Sequence, residues 1–179
     1  MRSCPVIPLT PTCRRVRKLF LEAFPPEERR PFWSLWLLSV LKRAVSLRAW
    51  QLDGTFCGFT LTVCTDVYLY ISFIAVSPEV RSRGCGTKIL DALKESYGKP
   101  VLVEIEAPEE GAANQVQRLR RREFYLRNGF SPLGREITGR GVRYELLFTG
   151  TDYDREAYMA IFPHLSFGIV PRIKKLLGR

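Results

Sequence analysis

The spacing of apolar residues predicts a domain in which helices and strands alternate. Apolar positions recur at helical spacing after Thr10-Pro11, a good helix opening, and again across Phe32–Leu41. They alternate with polar positions beside Asp53–Gly54, which is typical of a β-hairpin. The predicted strands cover residues 6–9, 47–52, 55–65, 67–76, 100–106, 130–137 and 142–149, and the predicted helices cover about 11–23, 32–41, 86–97 and 115–127.

Length and composition bound the class of protein. The 179 residues suffice for one domain with a full core, and 46% apolar with 26% charged residues is typical of a globular chain. The longest apolar run, Phe32–Leu41, is too short to span a bilayer. No secretory signal is evident, so the sequence predicts a cytoplasmic protein with no membrane partner.

Cysteine and histidine usage indicates no metal site. Five cysteines without a C-x-x-C pair argue against a disulfide framework and against zinc. Cys57 and Cys64 lie in a predicted strand and are interpreted as core residues, and Cys85 as a small side chain in a tight turn. The single histidine, His164, has no identifiable partner, which favours a structural role.

A basic, glycine-bearing turn joins a predicted strand to a predicted helix. Strand residues Tyr70–Val76 run directly into Ser77–Gly86. Gly84 and Gly86 lack a Cβ, so a ligand can approach the main chain and a positive φ costs little. The cationic side chains around the turn are Arg81, Arg83 and Lys88. The combination predicts an anion cradle at a helix N-terminus, suited to a pyrophosphate, and its spacing fits neither the P-loop nor the dinucleotide fingerprint.

The charge balance is strongly basic. Lys and Arg number 28 against 18 Asp and Glu, a net charge of +10. Much of it lies in one predicted helix, at Arg118, Arg120, Arg121, Arg122 and Arg127. Nucleic acid, a cofactor with several phosphates and a solvated helix face would each explain it. The sequence contains no recognised nucleic-acid-binding module, so nucleic acid is not the favoured partner.

Two ordered motifs have the spacing of a known family. The first is Arg81-x-x-Gly84-x-Gly86, with Val76 ending a strand before the arginine, and the second is Phe124-Tyr125-x-x-x-Gly129-Phe130. Both resemble motifs of the GNAT superfamily of acyl-CoA-dependent N-acyltransferases. The resemblance implies an α/β fold, a mostly antiparallel sheet of about seven strands with helices on both faces and a splayed central strand pair. It also implies a GNAT-like domain over residues 1–150, with 151–179 as a helical extension packed on it and broken at Pro163 and Pro171.

The resemblance further implies acetyl-CoA as the cofactor, held between the splayed strands. Its pantetheine arm is expected to pair with the main chain of Ile74, Ala75 and Val76, as an added strand would. Its pyrophosphate is expected to lie on backbone N–H groups of the basic turn. The predicted cofactor-binding residues there are Arg81, Ser82, Arg83, Gly84, Cys85, Gly86 and Thr87.

Amide formation needs a base, because an amine with a pKa of about 10.4 is protonated at neutral pH. Glu104 and Glu106 lie two apart in a predicted strand, so both are expected on one face. The resemblance implies Glu104 as the catalytic base, and Glu106 is the candidate for binding a cationic substrate. An exposed strand edge is the alternative interpretation of both.

The resemblance places Tyr125 at the family's general-acid position, where it would protonate the leaving thiolate; a core aromatic is the alternative. Direct transfer needs no enzyme nucleophile, and we identify no Cys-His or Ser-His pair in the sequence. The chain departs from the family at Arg118, where many relatives have an asparagine. It also departs in its longer link Pro108–Gln115.

The predicted function is acetyl-CoA-dependent N-acetylation, by direct transfer, of a primary amine on a small molecule or a peptide. A non-catalytic acyl-CoA-binding sensor and, less favoured, a basic nucleic-acid-binding protein are the alternatives. Aromatic residues and the acidic pair Glu27 and Glu28, all within Phe24–Leu41, are candidates for an acceptor wall or for ordinary core. The extension is also compatible with a homodimer.

Overall fold

A seven-stranded sheet forms the centre of the computed structural model, which describes residues 1–26, 29–139 and 141–167. The strands are β1 Arg2–Pro5, β2 Val45–Leu52, β3 Thr55–Cys64, β4 Leu69–Val76, β5 Val101–Glu106, β6 Ser131–Gly139 and β7 Val142–Phe148. Their order is β1-β2-β3-β4-β5-β7-β6, and every neighbouring pair is antiparallel except β4 and β5. The predicted fold class is confirmed.

Helices cover both faces of this sheet. They are α1 Pro11–Ala23, α2 Phe32–Leu41, α3 Cys85–Tyr97, α4 Gln115–Arg127 and α5 Arg155–Met159, with short 3-10 turns at Pro78–Val80 and Phe162–Leu165. One core cluster combines the sheet with α1, α2 and the segment after β7, and the other combines it with α3 and α4. None of the helices in the described ranges is long and apolar enough to span a membrane.

Local chemistry explains where several elements begin. The Thr10 hydroxyl accepts the backbone N–H of Cys13 at 3.2 Å and so caps α1, while Pro11 needs no hydrogen bond at the first helical position. Asp53 and Gly54 both have positive φ, 51° and 79°, as a two-residue hairpin turn of type I′ requires. The predicted position of the hairpin is therefore confirmed.

The prediction for the first strand was wrong by several residues. A strand was predicted over residues 6–9, whereas β1 runs from Arg2 to Pro5 and pairs with residues 48–51 of β2. Pro8 cannot donate to a ladder, and Leu9 has a φ of 66°, so the chain turns there into the cap of α1. At the other end, the predicted break at Pro171 lies outside the described residues.

The parallel pair at the centre of the sheet is short. β4 and β5 pair only over Leu69–Ile71 and Val101–Val103, although both strands continue. Ser72 has no counterpart on β3, because Ile71 pairs with Thr62 and the next pairing is Phe73 with Leu61. Such a bulge bends its strand and increases the twist. β4 and β5 consequently diverge toward their carboxyl ends and leave a gap.

Candidate active site

The predicted cofactor-binding stretch of β4 lies along this gap. Ile74–Val76 pairs on one side with Gly58–Thr60 of β3. On the other side, the ladder to β5 has already ended at Ile71. A β-strand presents N–H and C=O groups along both edges, so this edge of β4 is available to an extended ligand.

Gly58 sets the close approach between β3 and the end of β4. A Cβ at this position would lie 2.1 Å from the carbonyl oxygen of Ala75, which cannot yield without moving the backbone. We expect Gly58→Ala to lower the free energy of unfolding by about 1–3 kcal/mol in urea titrations, as overpacked sites do. It should also weaken cofactor binding.

Gly139→Ala is the matched control, because a Cβ there would meet the Tyr144 ring at an ordinary 3.7 Å. A Gly58→Ala protein as stable as the Gly139→Ala protein would contradict this account of the β3–β4 contact.

The N-terminus of α3 forms the predicted cradle. Gly84 is the N-cap with a φ of 71°, and no side chain of the described residues caps this helix. The first helical hydrogen bond is donated by Lys88 to the Gly84 carbonyl at 3.0 Å. The backbone N–H groups of Cys85, Gly86 and Thr87 precede it and lack an acceptor within the helix. Uncapped donors and the positive end of the helix dipole suit an anion.

The two glycines of the turn serve different purposes. At Gly84 a Cβ would meet nothing within 4 Å, so the glycine is needed for its positive φ. At Gly86 a Cβ would lie 3.0 Å from the Phe124 ring, so the lack of a side chain here allows α4 to pack closely against α3. Ser82 also has a positive φ, 62°, without being glycine. Strain of this kind persists where the surrounding structure fixes it and is frequent at ligand sites.

The side chains of the cradle are not equivalent. Arg81, Ser82, Arg83 and Thr87 are exposed around the turn. Cys85 is buried, and its Sγ lies 3.6 Å from Sγ of Cys57 on β3. Its contribution to an anion site is therefore its backbone N–H alone.

Glu104 lies on β5 at the start of the gap and is held by two phenols. Oε1 accepts hydrogen bonds from the hydroxyls of Tyr70 at 3.1 Å and Tyr158 at 2.7 Å. The carboxyl group is partly buried, and within the described part of the chain Oε2 has no hydrogen-bond partner. The carboxylate is thus fixed in orientation while one oxygen remains free to accept a proton.

The environment tunes all three groups of this network, Glu104, Tyr70 and Tyr158. Burial raises the pKa of the Glu104 carboxyl above its ordinary value, and the two hydrogen bonds offset part of that rise. Burial and the neighbouring carboxylate raise the pKa of both Tyr70 and Tyr158. The phenols stay protonated at neutral pH and act as donors, so Glu104 is the member able to take up a proton.

Tyr125 lies on α4, between the rings of Phe124 and Phe130, at centroid distances of 5.3 and 5.1 Å. It is buried, and among the described residues its hydroxyl has no hydrogen-bond partner. Burial raises its pKa, so the group is a neutral phenol at pH 7. The Tyr125 phenol is one of the groups that raise the pKa of Tyr70, so the two hydroxyls lie within electrostatic range of each other.

Glu106 has a different set of partners from Glu104. Its oxygens pair with the Arg118 guanidinium at 3.3 Å and with Arg121 at 3.7 Å, and they accept the Asn114 side-chain amide at 3.0 Å. Arg118 also donates to the Ala107 carbonyl at 3.1 Å and so ties α4 to the end of β5. The proposed role of Glu106 in substrate binding stays a prediction, since its charge is already balanced within the protein.

Two residues of the site were missed in the sequence. Tyr70 is part of the β4 run, and Tyr158 lies in α5, a segment that carries no motif. Their phenols contact Glu104 although they lie 34 and 54 positions away in the sequence, so local patterns gave no signal for either contact.

Glu27 and Glu28, predicted near an acceptor, lie outside the described residues. A cavity of about 280 Å³ lies between α2, β2 and residues 5–8, and none of the gap residues lines it.

Comparisons with known proteins agree with this geometry. Residues 46–132 match the family model of the acetyltransferase (GNAT) domain. A relative from Bacillus subtilis (strain 168), YjbC, named as an acetyltransferase, is 34% identical over 65 residues. That match covers 36% of this chain and 32% of YjbC, so it spans about a third of the relative's length.

Solved structures extend the likeness to almost the whole described chain. A GNAT-family protein of Bacteroides thetaiotaomicron, also named as an acetyltransferase, has a TM-score of 0.76 at 24% identity, over 90% of this chain and 93% of that one. An aminoglycoside 6'-N-acetyltransferase complexed with coenzyme A has a TM-score of 0.60 at 13% identity, over 86% of this chain and 100% of that one. At these identities the likeness concerns the fold.

Proposed function

We propose that this chain transfers an acetyl group from acetyl-CoA to a primary amine, as the match of residues 46–132 to the GNAT acetyltransferase domain suggests. One observation carries the proposal. The gap between β4 and β5 lies between an uncapped helix N-terminus and a tyrosine-held carboxylate, Glu104. The first feature suits a phosphate-bearing donor, and the second suits a protonated acceptor.

The residues present fit acetyl-CoA. The N–H groups at the start of α3 would hold its pyrophosphate, and the edge of Ile74–Val76 would pair with the amides of its pantetheine arm. Arg81 and Arg83 add positive charge beside them. A related solved structure of this fold is complexed with coenzyme A. When bound, acetyl-CoA supplies an acyl group on a thioester, activated toward attack by an amine.

Glu104 acts as the base in this proposal. A primary ammonium group must lose a proton before its nitrogen can attack, and a base with a pKa raised toward neutrality suits that step. Tyr70 and Tyr158 are positioning residues, since their hydroxyls fix one carboxylate oxygen and leave the other for the proton.

Tyr125 acts as the acid. Its phenol would supply a proton to the thiolate that leaves when the amide forms. An ammonium group gives up two protons on becoming an amide, so Glu104 would take the first and the second would restore the Tyr125 phenol. No covalent enzyme intermediate is required.

The segment after β7 completes the acceptor side. Tyr158, Ile161 and Leu165 belong to the same core cluster as Tyr70, and the Phe162 ring lies 6.4 Å from that of Tyr70. We therefore propose that residues 1–150 and the described part of the extension work as one unit. A wall of aromatic rings with one carboxylate favours an amine on an apolar small molecule or peptide.

Thermal unfolding with acetyl-CoA, CoA and NAD tests the cofactor. A ligand at about 100 times its dissociation constant adds about 2.7 kcal/mol to the stability of the folded state. For a chain of this size the midpoint should rise by roughly 5–10 °C. We expect the rise with acetyl-CoA and CoA and not with NAD. An equal rise with NAD, or none with CoA, would contradict the assignment.

A panel of amines then separates the enzyme from the alternatives. Release of free thiol from acetyl-CoA, dependent on one amine class, is expected of the transferase. Binding of acetyl-CoA without release across the panel would indicate a sensor module. Nucleic acid binding that weakens steeply with salt, with no effect of acetyl-CoA, would indicate the third function.

A further inference from the structure

Two buried thiols meet beneath the anion cradle. Cys57 on β3 and Cys85 at the start of α3 lie with their Sγ atoms 3.6 Å apart, at 0% and 2% exposure. They are 28 positions apart in the sequence. The catalytic scheme above uses neither thiol, and a core packed only for stability does not require two cysteines in contact.

Each cysteine is joined to a part of the cofactor site. The Cys57 carbonyl accepts the N–H of Ser77, the residue directly after β4, at 2.8 Å. Cys57 is also the unpaired residue of a second bulge, since Trp50 pairs with Gly58 and the next pairing is Gln51 with Phe56. Cys85 contributes the first amide of α3. A bond between the two sulfurs would therefore tie the cradle to the strand that supports β4.

A cavity gives small molecules a route to the pair. Its volume is about 150 Å³, and both cysteines line it, together with Asp53 and Arg83. A site needs only about 10–15 Å³ on this measure to hold one water molecule. A molecule as small as hydrogen peroxide therefore fits beside the sulfur atoms.

We propose that Cys57 and Cys85 are a modification site, which hydrogen peroxide converts to a disulfide that weakens cofactor binding. The second half of this proposal rests on the proposed function. One thiolate attacks a peroxide oxygen, so an S–O bond forms, the O–O bond breaks and the hydroxide released is protonated to water. The second thiolate attacks that sulfur, so the S–S bond forms, the S–O bond breaks and a second water leaves. Two thiols are oxidised by two electrons in total, and one peroxide is reduced to two waters.

Geometry connects the bond to the cradle. A disulfide has an S–S length of about 2.05 Å, so the sulfurs must approach by roughly 1.5 Å from their present separation. The bulge at Cys57 absorbs part of this shift, and the start of α3 takes the rest. The donors of the cradle then move from the positions that suit a pyrophosphate. Burial raises the pKa of the Cys57 thiol, so oxidation is expected at the slow end of the seconds-to-hours range for disulfides.

Peptide mapping of the full chain tests the bond. After treatment with peroxide, alkylation and tryptic digestion without reductant, residues 49–81 should be linked to residues 84–88. The linked product should weigh two hydrogens less than the two peptides together, and dithiothreitol should separate it. Because Cys64 lies in the same long peptide, Cys64→Ser is the matched control and should leave the link intact. Cys57→Ser and Cys85→Ser should each abolish it.

CoA affinity before and after oxidation tests the coupling. We expect Kd for CoA to rise about tenfold in the oxidised wild type, within the usual range for coupled sites, and to recover with dithiothreitol. By reciprocity, CoA should make the disulfide easier to reduce. No 57–85 link in wild type, or an unchanged Kd once linked, would overturn the proposal. Failure of the reduced protein to bind CoA would instead contradict the proposed function, while the mapping would still decide whether the bond forms.

Discussion

Replacing Glu104 with glutamine is expected to lower kcat/KM about 10²–10⁴-fold, the usual contribution of a general base. Glutamine has nearly the same shape and can still accept hydrogen bonds from Tyr70 and Tyr158. It cannot take up the proton of the amine. The loss should therefore appear in steady-state kinetics as a lower kcat, with little change in the Kd for CoA.

The same variant should not be less stable than the wild type at neutral pH. Burial raises the pKa of the Glu104 carboxyl in the folded state, so its protonated form is favoured there. The stability that this group contributes is present below the unfolded pKa of about 4.3 and is lost as pH rises through the higher folded value. Glu104→Gln avoids that loss. In urea titrations between pH 4 and 8, the free energy of unfolding of the variant should increase relative to that of the wild type as the pH rises.

The pH profile separates the chemical role of Glu104 from a structural one. Activity requires the carboxylate, so the acid limb of kcat/KM should lie above the ordinary range for glutamate. Tyr158→Phe removes a hydrogen bond that lowers the pKa of Glu104, and it should move this limb to higher pH. Glu145→Gln is the matched control, because Glu145 pairs with Arg122 at 2.8 Å on the face toward α4. Equal losses of kcat in Glu104→Gln and Glu145→Gln would rule out the base assignment.

Tyr125→Phe is expected to lower kcat about 10²-fold or more under conditions where chemistry limits turnover, as loss of a general acid does. The change removes one hydroxyl from a ring packed between Phe124 and Phe130. Since that hydroxyl has no hydrogen-bond partner among the described residues, the free energy of unfolding should change little. Single-turnover measurements with acetyl-CoA would give the chemical rate directly.

Two comparisons make the Tyr125 experiment specific. Tyr97→Phe alters another tyrosine at the edge of the same core cluster, away from the gap, and should keep full activity. An acyl donor with a more acidic leaving group needs less help from an acid, so the loss in Tyr125→Phe should shrink with it. Full turnover of Tyr125→Phe with acetyl-CoA would exclude the general-acid role.

Local sequence chemistry was a sound guide where one segment determines its own structure. Helix α2 has the predicted bounds, the hairpin turn lies at Asp53–Gly54 as predicted, and α3 begins at the predicted glycine turn. Each depends on caps, turn residues or apolar spacing within a few positions. The prediction of the first strand was wrong because it relied on the apolar residues 6–9, whereas the residues that pair with β2 are Arg2–Pro5.

The candidate site was predictable only in part, for the same reason. The motif spacing and the family resemblance proposed Glu104, Tyr125 and the cradle as candidates, and these assignments stay predictions. The partners of Glu104, the internal neutralisation of Glu106 by Arg118 and the meeting of two cysteines are contacts between distant segments. A pattern of residues along the chain does not determine which distant side chains will share a hydrogen bond. The environment that sets the pKa of Glu104 therefore had to come from the fold.

The position of Tyr158 in the chain has a consequence for synthesis. The last strand of the sheet ends at Phe148, ten residues before Tyr158, which completes the hydrogen bonding of Glu104. During synthesis the chain emerges N-terminus first, so β7 is available before Tyr158. A nascent chain can therefore close its sheet and form the cradle while Glu104 is still open to water, with a carboxyl pKa nearer its ordinary value. The capacity to bind the donor would then precede the capacity for catalysis during the lifetime of each molecule.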